Sequence, residues 1–501
     1  MFTALLLIWS GVIIFWYWYH RRHLVKLGSQ IPGPVGYPLI GNGLTFWGKP
    51  EEVFRRLRDI FTLYTRLVAI WLGPKLHVAL FDAHDVEVVL RSRAIEKAEE
   101  YKFLKPWLGE SLLLSRGNKF RLNKKLIMPS FHVNNLKRFL GVFNDHALLL
   151  VESLREKVGK EEFDIHSYLS TCTMDVLLET VMGISKDTLG NQAFKYSQSV
   201  QKLGRLAHMR VYKFWLRPDI IFRFSKVKKE QDKYIEIVHG LTEKVIKQRK
   251  KEYESRMNQD DQDENEEKWT VFMDSLLRAK DENGVGLTDE DIKAEVMTMM
   301  FAGQDTTSTT IGFTLSLLGI YQDVQDKVMA ELDEVFGQSN APITFNDIQK
   351  LQYLEQVVQE TWRLYPPIPL IAKKPVEDIQ LDNCTIPADC TVGIMIMGVH
   401  RDPKQFQRPS RFNPDNFLPE KIKARHPYSF IPFSAGTRTC IGAKYATILI
   451  KVVLATLLRS YRVSSTKRER DFKLAGQTVL KRSDGYIVSL TLKDTALSDA
   501  K

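Results

Sequence analysis

The chain falls into three stretches that differ in how apolar and polar residues follow one another. Residues 2–19 are apolar and carry no charged side chain. Apolar residues recur at helical spacing through most of residues 82–336, and after residue 367 they form short alternating runs that are typical of half-buried strands. The pattern predicts one large domain that is mainly α with a minor β region.

Helical spacing and β-branched runs locate the individual elements. The predicted helices span residues 51–61, 139–158, 165–182, 234–252, 292–321 and 346–364, with Asn346 as a possible N-cap. The predicted strands are a hairpin over 67–81 that turns at Gly73-Pro74, short runs at 368–372, 379–381 and 391–397, and a hairpin over 471–492 that turns at Ser483-Asp484-Gly485. Residues 258–267 are acidic and polar, which favours a surface loop over a specific docking element.

The amino-terminal stretch has the features of a single membrane anchor. As a helix, residues 2–19 would span roughly 27 Å, which is close to the hydrocarbon thickness of a bilayer. Aromatic residues at its end and basic residues at 20–26 are typical of a span whose carboxyl-terminal side faces the cytosol. A cleaved signal peptide would carry its charge before the apolar run and end in small residues, and neither is seen. The sequence therefore predicts an anchor at residues 1–20, a basic, Pro/Gly-rich linker at 21–44 and a single domain at 45–495.

Charge and cysteine usage narrow the choice of partners. The net charge of +11 favours an acidic partner protein or an anionic membrane surface. The basic residues are spread along the chain without a nucleic-acid motif, so we expect no nucleic-acid partner. The four cysteines form no CxxC pair and indicate reduced thiols, with a disulfide between Cys384 and Cys390 as the less favoured alternative.

Ten residues, from Phe433 to Gly442, have the composition of a haem-binding loop. A Cys440 thiolate is a soft donor for haem iron, and a helix that begins beside it would stabilise the charge. Gly436 permits a tight turn, Arg438 can pair with a propionate, and Phe433 can pack on the ring. Gly442 would let the following helix approach closely. A shorter match would favour a buried structural cysteine, but the full segment resembles the haem-binding loop of the cytochrome P-450 superfamily.

A second motif lies inside the predicted helix over 292–321. The Thr306 hydroxyl can bond to the carbonyl of Ala302 four residues back, and Asp305 can pass protons through water. Gly303 would leave space for a diatomic ligand. By itself this is also the composition of a helix core with small polar residues, but it resembles the oxygen-activating helix of the same superfamily.

Two further motifs match the superfamily with substitutions. Glu360 and Arg363, at i and i+3, resemble its structural ExxR pair, but Asn416 stands where an arginine is common, so we expect that part of the core to be held in another way. Phe120 and Lys124 stand where the family has a tryptophan and an arginine that bind a propionate. The resemblance implies that Lys124, helped by Arg121, and Lys373 also contact propionates, and that the same basic helix face docks an electron donor; a solvated basic face is the alternative.

Other segments resemble family 4 of the superfamily, the branch of fatty-acid ω-hydroxylases. These segments are residues 101–109, 128–132 and 426–433, while 414–420 and 471–474 resemble insect members. Family 4 often carries a glutamate that esterifies the haem, and this chain has Ala302 in its place. We therefore expect non-covalent haem b with an axial thiolate.

The resemblance implies the cytochrome P-450 fold and a monooxygenase that uses O2 and electrons from an NADPH-dependent reductase. The expected substrate is a fatty acid or long-chain acyl derivative, and the expected location is the endoplasmic reticulum membrane with the domain facing the cytosol. Thr306 and Asp305 would be catalytic. The alternatives are oxidative decarbonylation of long-chain aldehydes, a haem-thiolate isomerase and a haem carrier or sensor without turnover. Candidates for the apolar pocket wall are Phe103, Leu104, Trp107, Leu370, Ile371, Val479 and Leu480.

Overall fold

The computed structural model describes residues 9, 19–184, 192–259, 271–280, 284 and 286–493. The helices are α1 Pro50–Leu63, α2 Ala83–Arg91, α3 Lys105–Leu108, α4 Gly117–Ile127, α5 Val133–Leu154, α6 His166–Leu177, α7 Gln192–Tyr212, α8 Asp219–Arg223, α9 Lys226–Gln259, α10 Phe272–Arg278, α11 Asp289–Ile320, α12 Gln322–Phe336, α13 Phe345–Lys350, α14 Gln352–Leu364, α15 Ile396–Val399, α16 Pro419–Ala424 and α17 Ala443–Ser460. The strands are β1 Leu67–Leu72, β2 Lys75–Leu80, β3 Ile95–Lys97, β4 Phe163–Asp164, β5 Ile371–Pro375, β6 Ile379–Gln380, β7 Thr385–Ile386, β8 Thr391–Ile394, β9 Tyr461–Ser464, β10 Leu474–Gly476, β11 Leu480–Arg482 and β12 Ile487–Leu492. The predicted architecture, mainly α with a minor β region, is confirmed.

Helix α11 is buried along most of its length and packs against α6, α14 and α17. At its start the Thr288 side chain accepts the Asp291 amide, and acidic residues in the first turn complement the helix dipole. Two of its buried threonines are satisfied locally, because Thr310 and Thr314 donate their hydroxyls to carbonyls four residues back. The helix can therefore be surrounded by protein on all sides.

The largest sheet joins the two halves of the chain in the order β1-β2-β8-β5-β3. The predicted hairpin over 67–81 is present, and it turns at Gly73, whose φ of +57° suits glycine. β2 lies parallel to β8, while β5 is antiparallel to both β8 and β3. The predicted run at 391–397 ends as a strand at Ile394, because the short helix α15 follows.

Two predicted elements differ in the structure. The helix over 346–364 is two helices that meet at Leu351, and Thr344, not Asn346, is the N-cap, in a capping box with Asp347. The hairpin over 471–492 turns at residues 477–479, where β10 and β11 pair, and not at 483–485. β12 pairs instead with β9 and with β4, which lies far away in the chain. An alternating pattern predicts a strand but does not identify its partner, so the sequence could not give this pairing.

The predicted anchor lies almost wholly outside the described residues, as do residues 260–267 of the acidic stretch. Among the residues that are described, no helix has both the length and the apolar character required to cross a bilayer. The segment 19–28 is helical, so the predicted linker over 21–44 is non-helical only from residue 31 onward until the short 3-10 turn Gly43–Phe46.

The pair Glu360 and Arg363 forms a buried ion pair at the end of α14. Both side chains are 0% exposed, and the guanidinium donates to both carboxylate oxygens at 2.6 and 2.7 Å. The Asn416 amide donates to the same carboxylate at 3.2 Å, and Arg425 donates to the Asn416 carbonyl at 2.6 Å. The neutral Asn416 amide therefore binds this carboxylate at the position where the family commonly has an arginine.

Candidate active site

A cavity of about 540 Å³ lies between α11 and the loop that carries Cys440. Its lining is mainly apolar and comes from the sheet, α1, α7, α11 and the segment before α4. The predicted site residues that line it are Cys440, Arg438, Phe433, Gly442, Phe120, Lys124, Lys373, Ala302, Gly303, Thr306, Phe103, Leu104, Leu370 and Ile371. The predicted site residues outside the lining are Gly436, Asp305, Trp107, Val479 and Leu480.

The Cys440 loop presents its sulfur to the cavity. Gly436 has a φ of +77°, and a Cβ there would lie 3.0 Å from the Leu90 carbonyl, so the turn needs glycine. The Cys440 amide donates to the Phe433 carbonyl at 3.0 Å and closes the loop. At Gly442, however, a Cβ would meet only the Cys440 sulfur, at 4.0 Å, so the expected role of this glycine in close helix packing is not found.

The charge state of Cys440 depends on its surroundings. Burial raises the pKa of the thiol, and a hydrogen bond from the Gly442 amide opposes that rise. Helix α17 begins at Ala443, three residues after Cys440, and the expected stabilisation of the thiolate by its N-terminus stays a prediction. A bound metal ion is what holds such a sulfur deprotonated.

Three predicted cations lie at the rim of the cavity close to the Cys440 loop. The Arg438 guanidinium stacks 3.4 Å from the centre of the Phe120 ring and donates to the Ser115 carbonyl at 2.7 Å. Lys124 donates to the Thr437 carbonyl at 2.7 Å. Burial, followed by the charge of Arg438, lowers the pKa of Lys373 to about 8.

Sequence reasoning missed a fourth cation, Lys97, which also lines the cavity. It lies opposite Lys373 where β3 pairs with β5, and burial, followed by Arg438 and Lys373, lowers its pKa to about 7. Only the strand register brings these two lysines together, so no sequence signal indicated Lys97. Arg121, by contrast, is exposed, bonds to Asn118 and lies outside the lining, so it does not share the role expected of it.

On α11 the Thr306 hydroxyl donates to the Ala302 carbonyl at 2.7 Å, in the geometry expected from the sequence. Gly303 has a different effect from the one expected. A Cβ there would lie 2.3 Å from the Leu177 Cδ1 atom, so this glycine allows α6 to approach α11 and does not leave space for a ligand.

Asp305 points away from the cavity. It is buried and forms an ion pair with Lys481, which also donates to the Thr309 hydroxyl at 2.8 Å and lies 3.2 Å from His166 Nε2. Lys481 belongs to β11, far along the chain. The carboxylate therefore reaches the cavity only if it leaves this partner, a constraint that the sequence did not indicate.

Four of the seven residues expected in the pocket wall line the cavity, and the other three do not. Trp107 is buried beside Phe301, with ring centres 4.8 Å apart, and does not reach the cavity. Val479 and Leu480 are also buried elsewhere, and the preceding residues Gly476, Gln477 and Thr478 contribute to the lining instead. The β10–β11 hairpin turns at residues 477–479 and not at 483–485 as expected, which explains why these earlier residues reach the cavity.

This donor set fits an iron porphyrin. A thiol lies on the wall, an aromatic ring from Phe433 lies beside it, and Lys97, Lys124, Lys373 and Arg438 line the cavity. None of these four cations forms an ion pair with a carboxylate in the described part of the chain. Half-buried cations without a carboxylate partner are stabilised by an anionic group such as a propionate.

Comparison with known proteins agrees with the geometry. The family model described as Cytochrome P450 matches residues 31–490. Cytochrome P450 4g15 of Drosophila melanogaster is 39% identical over 547 aligned positions, which cover 95% of each chain. Human Cytochrome P450 4V2 is 37% identical over 463 positions, or 91% of this chain and 88% of that one.

A solved structure shares the fold. The crystal structure of the cytochrome P450DA heme domain superposes with a TM-score of 0.78 at 20% identity, over 93% of this chain and 98% of that one. The chain therefore belongs to the cytochrome P450 family, as a haem-thiolate monooxygenase of the family-4 type.

Proposed function

We propose that the chain inserts one oxygen atom from O2 into a fatty acid or long-chain acyl derivative, at the end of the chain remote from the acyl group. The observation that carries this proposal is the apolar cavity of about 540 Å³, whose lining includes both Cys440 and Thr306. A lipid chain buries apolar surface against such walls, and the hydrophobic effect gives its affinity.

Each site residue has a proposed role. When bound, the haem supplies the iron that activates O2. Cys440 would bind this iron through its sulfur, and Arg438, Lys97, Lys124 and Lys373 would hold the propionates. Ala302 carries no carboxyl group, so the haem is bound non-covalently, and mass spectrometry after acid extraction would find the protein free of haem.

Proton delivery is assigned to Thr306 and Asp305. The Thr306 hydroxyl holds its proton on the Ala302 carbonyl at rest, and it can turn to donate into the cavity. Asp305 acts as a proton carrier when it leaves Lys481. Both groups lie on one helix, which keeps their separation fixed.

We place the protein at the endoplasmic reticulum membrane, with the domain in the cytosol. Two surface segments with exposed apolar side chains support a membrane-facing surface. Val35 and Leu39 are 96% and 94% exposed, and Phe224 is 81% exposed. The rings of Trp47 and Trp215 contact each other, with centres 5.2 Å apart, so the two segments lie side by side. An NADPH-dependent reductase would dock on the basic face of α4, which packs against the Cys440 loop through Lys124.

A product screen tests the substrate. The full-length protein is incubated with reductase, NADPH and either a saturated fatty acid or a long-chain aldehyde. We expect NADPH consumption coupled to an ω-hydroxy acid, and Cys440→Ser should abolish both. A hydrocarbon one carbon shorter, formed only from the aldehyde, would establish decarbonylation instead. A fatty-acid hydroperoxide supplied without NADPH separates the other two alternatives: its rearrangement would indicate an isomerase, and no conversion of any of the three compounds would indicate a carrier.

A further inference from the structure

One group of polar residues interrupts the apolar wall of the cavity on the sheet. His77 of β2 lies beside Thr391 of β8 in the strand register, and Glu100 lies next to both. All three line the cavity. Apart from Lys97 and Lys373, the other residues of the sheet that line the cavity are apolar, so His77, Thr391 and Glu100 are where an uncharged polar group on a lipophilic ligand would be recognised.

His77 has a hydrogen-bonding nitrogen without a partner. Its side chain is 17% exposed, and its Nε2 atom is buried and makes no hydrogen bond. The nearest Glu100 oxygen lies 4.0 Å away, which is too far for a hydrogen bond. Burial lowers the pKa of His77 to about 3, so the ring is neutral at physiological pH. A buried nitrogen left unpaired is unfavourable, and a ligand group that pairs with it gains affinity.

Glu100, in contrast, already has its partners. It is 7% exposed, forms ion pairs with Lys75 at 3.0 Å and with Arg217, and accepts the Thr391 hydroxyl at 3.2 Å. The positive charge near His77 is therefore already neutralised. A second carboxylate at this position would compete with Glu100 for the same two cations.

Two of the four cavity cations, Lys97 and Lys373, belong to the sheet, and they are one position out of register with His77. Lys97 pairs with Lys373, and Lys373 pairs with Val392, the neighbour of Thr391 in β8. Successive residues of a strand point to opposite faces, so Thr391 and His77 face away from these lysines. The lysines are assigned to the propionates, and no free cation remains for a carboxylate at His77 among the described residues.

We propose that His77 binds an uncharged hydrogen-bonding end group of the substrate, a hydroxyl or a carbonyl, and that the cavity discriminates against a free carboxylate. This inference rests on the proposed function, because it takes the cavity as the site of a long-chain substrate. It narrows the substrate class from fatty acids to their neutral relatives, such as alcohols, aldehydes and esters.

A second buried imidazole offers a matched control. His208 of α7 also lines the cavity, and its ring meets Tyr212 edge to face with centres 4.4 Å apart. Burial lowers the pKa of His208 to about 4, so this ring is neutral as well. It lies on a helix and not in the sheet, and it is not beside Glu100.

The test measures binding of dodecanol, methyl dodecanoate, dodecanoate and dodecane to the haem-loaded protein. Affinity is read from the Soret shift on ligand binding and independently by equilibrium dialysis. We expect dodecanol to bind about tenfold more tightly than dodecanoate. His77→Leu should weaken the binding of dodecanol by about tenfold and leave the affinity for dodecane unchanged. His208→Leu should leave the ratio of the two affinities unchanged.

Glu100→Gln gives an opposite prediction. It frees Arg217 and leaves Lys75 with Glu99 at 3.1 Å, so dodecanoate should bind more tightly than it does to the unmodified protein. The proposal is overturned if dodecanoate binds the unmodified protein as tightly as dodecanol, if His77→Leu weakens all four ligands equally, or if His208→Leu reproduces the loss. If no ligand binds, dodecane included, the lipophilic cavity itself fails as the substrate site, which is the failure of the proposed function and not of His77 alone.

Discussion

At the scale of single residues, Lys97 combines burial with positive neighbours and has no carboxylate partner among the described residues. Burial first, then Arg438 and Lys373, lowers its pKa from 10.5 to about 7. Between these two values the unfolded chain binds more protons than the folded haem-free chain. The stability of the haem-free protein should therefore rise as the pH rises through this window.

Haem binding reverses this effect, because a propionate next to Lys97 favours the charged amine. Binding then takes up a proton at Lys97, and this contribution weakens haem affinity as the pH is raised from about 7 to about 9, whereas the proton that the Cys440 thiol releases acts in the opposite sense. The rate of haem transfer to an acceptor globin measures the affinity. Lys97→Met should remove the contribution of this amine, so that the affinity of this variant falls less steeply with pH than that of the unmodified protein, and Lys125→Met, at an exposed position on α4 outside the cavity, should leave the pH dependence unchanged. An unaltered pH dependence in Lys97→Met would show that this amine does not contact the propionate.

At the scale of elements, α14 is held to the segment 409–416 by one buried ion pair. Glu360 accepts from Arg363, the Asn413 amide and the Asn416 side chain, and Arg363 donates further to the Pro409 and Arg411 carbonyls. Removing one partner leaves the other charge buried, so Glu360→Ala should destabilise the protein by about 3–5 kcal/mol. Urea unfolding followed by circular dichroism measures the change.

The chain offers a control with the same spacing. Glu152 and Arg155 also form an i, i+3 pair, but their side chains are 70% and 75% exposed. Glu152→Ala should leave the unfolding midpoint unchanged, because solvent screens an exposed pair. Equal effects of the two substitutions would mean that burial does not decide the strength of the Glu360 pair.

At the scale of the whole molecule, the exposed apolar segments around Leu39 and Phe224 form the surface that we propose to face the membrane. A nitroxide attached at Leu39→Cys in the vesicle-bound protein should be accessible to oxygen and protected from a water-soluble relaxation agent. The control is Leu122→Cys on α4, where leucine is 65% exposed at a distant position in the chain. That label should remain accessible from water. Equal accessibility of both labels to the water-soluble agent would exclude this orientation.

The sequence by itself determined the features that depend on a few neighbouring residues. The Cys440 loop, the hydrogen bond from Thr306 to Ala302 and the hairpin at Gly73 all form within fourteen residues of chain, where local propensity and turn chemistry decide the outcome. The tertiary structure decided what depends on distant segments. Strand register placed Lys97 beside Lys373 and His77 beside Thr391, and helix packing placed Leu177 against Gly303. A long-range ion pair turned Asp305 toward Lys481, because a buried charge takes the partner that the fold supplies.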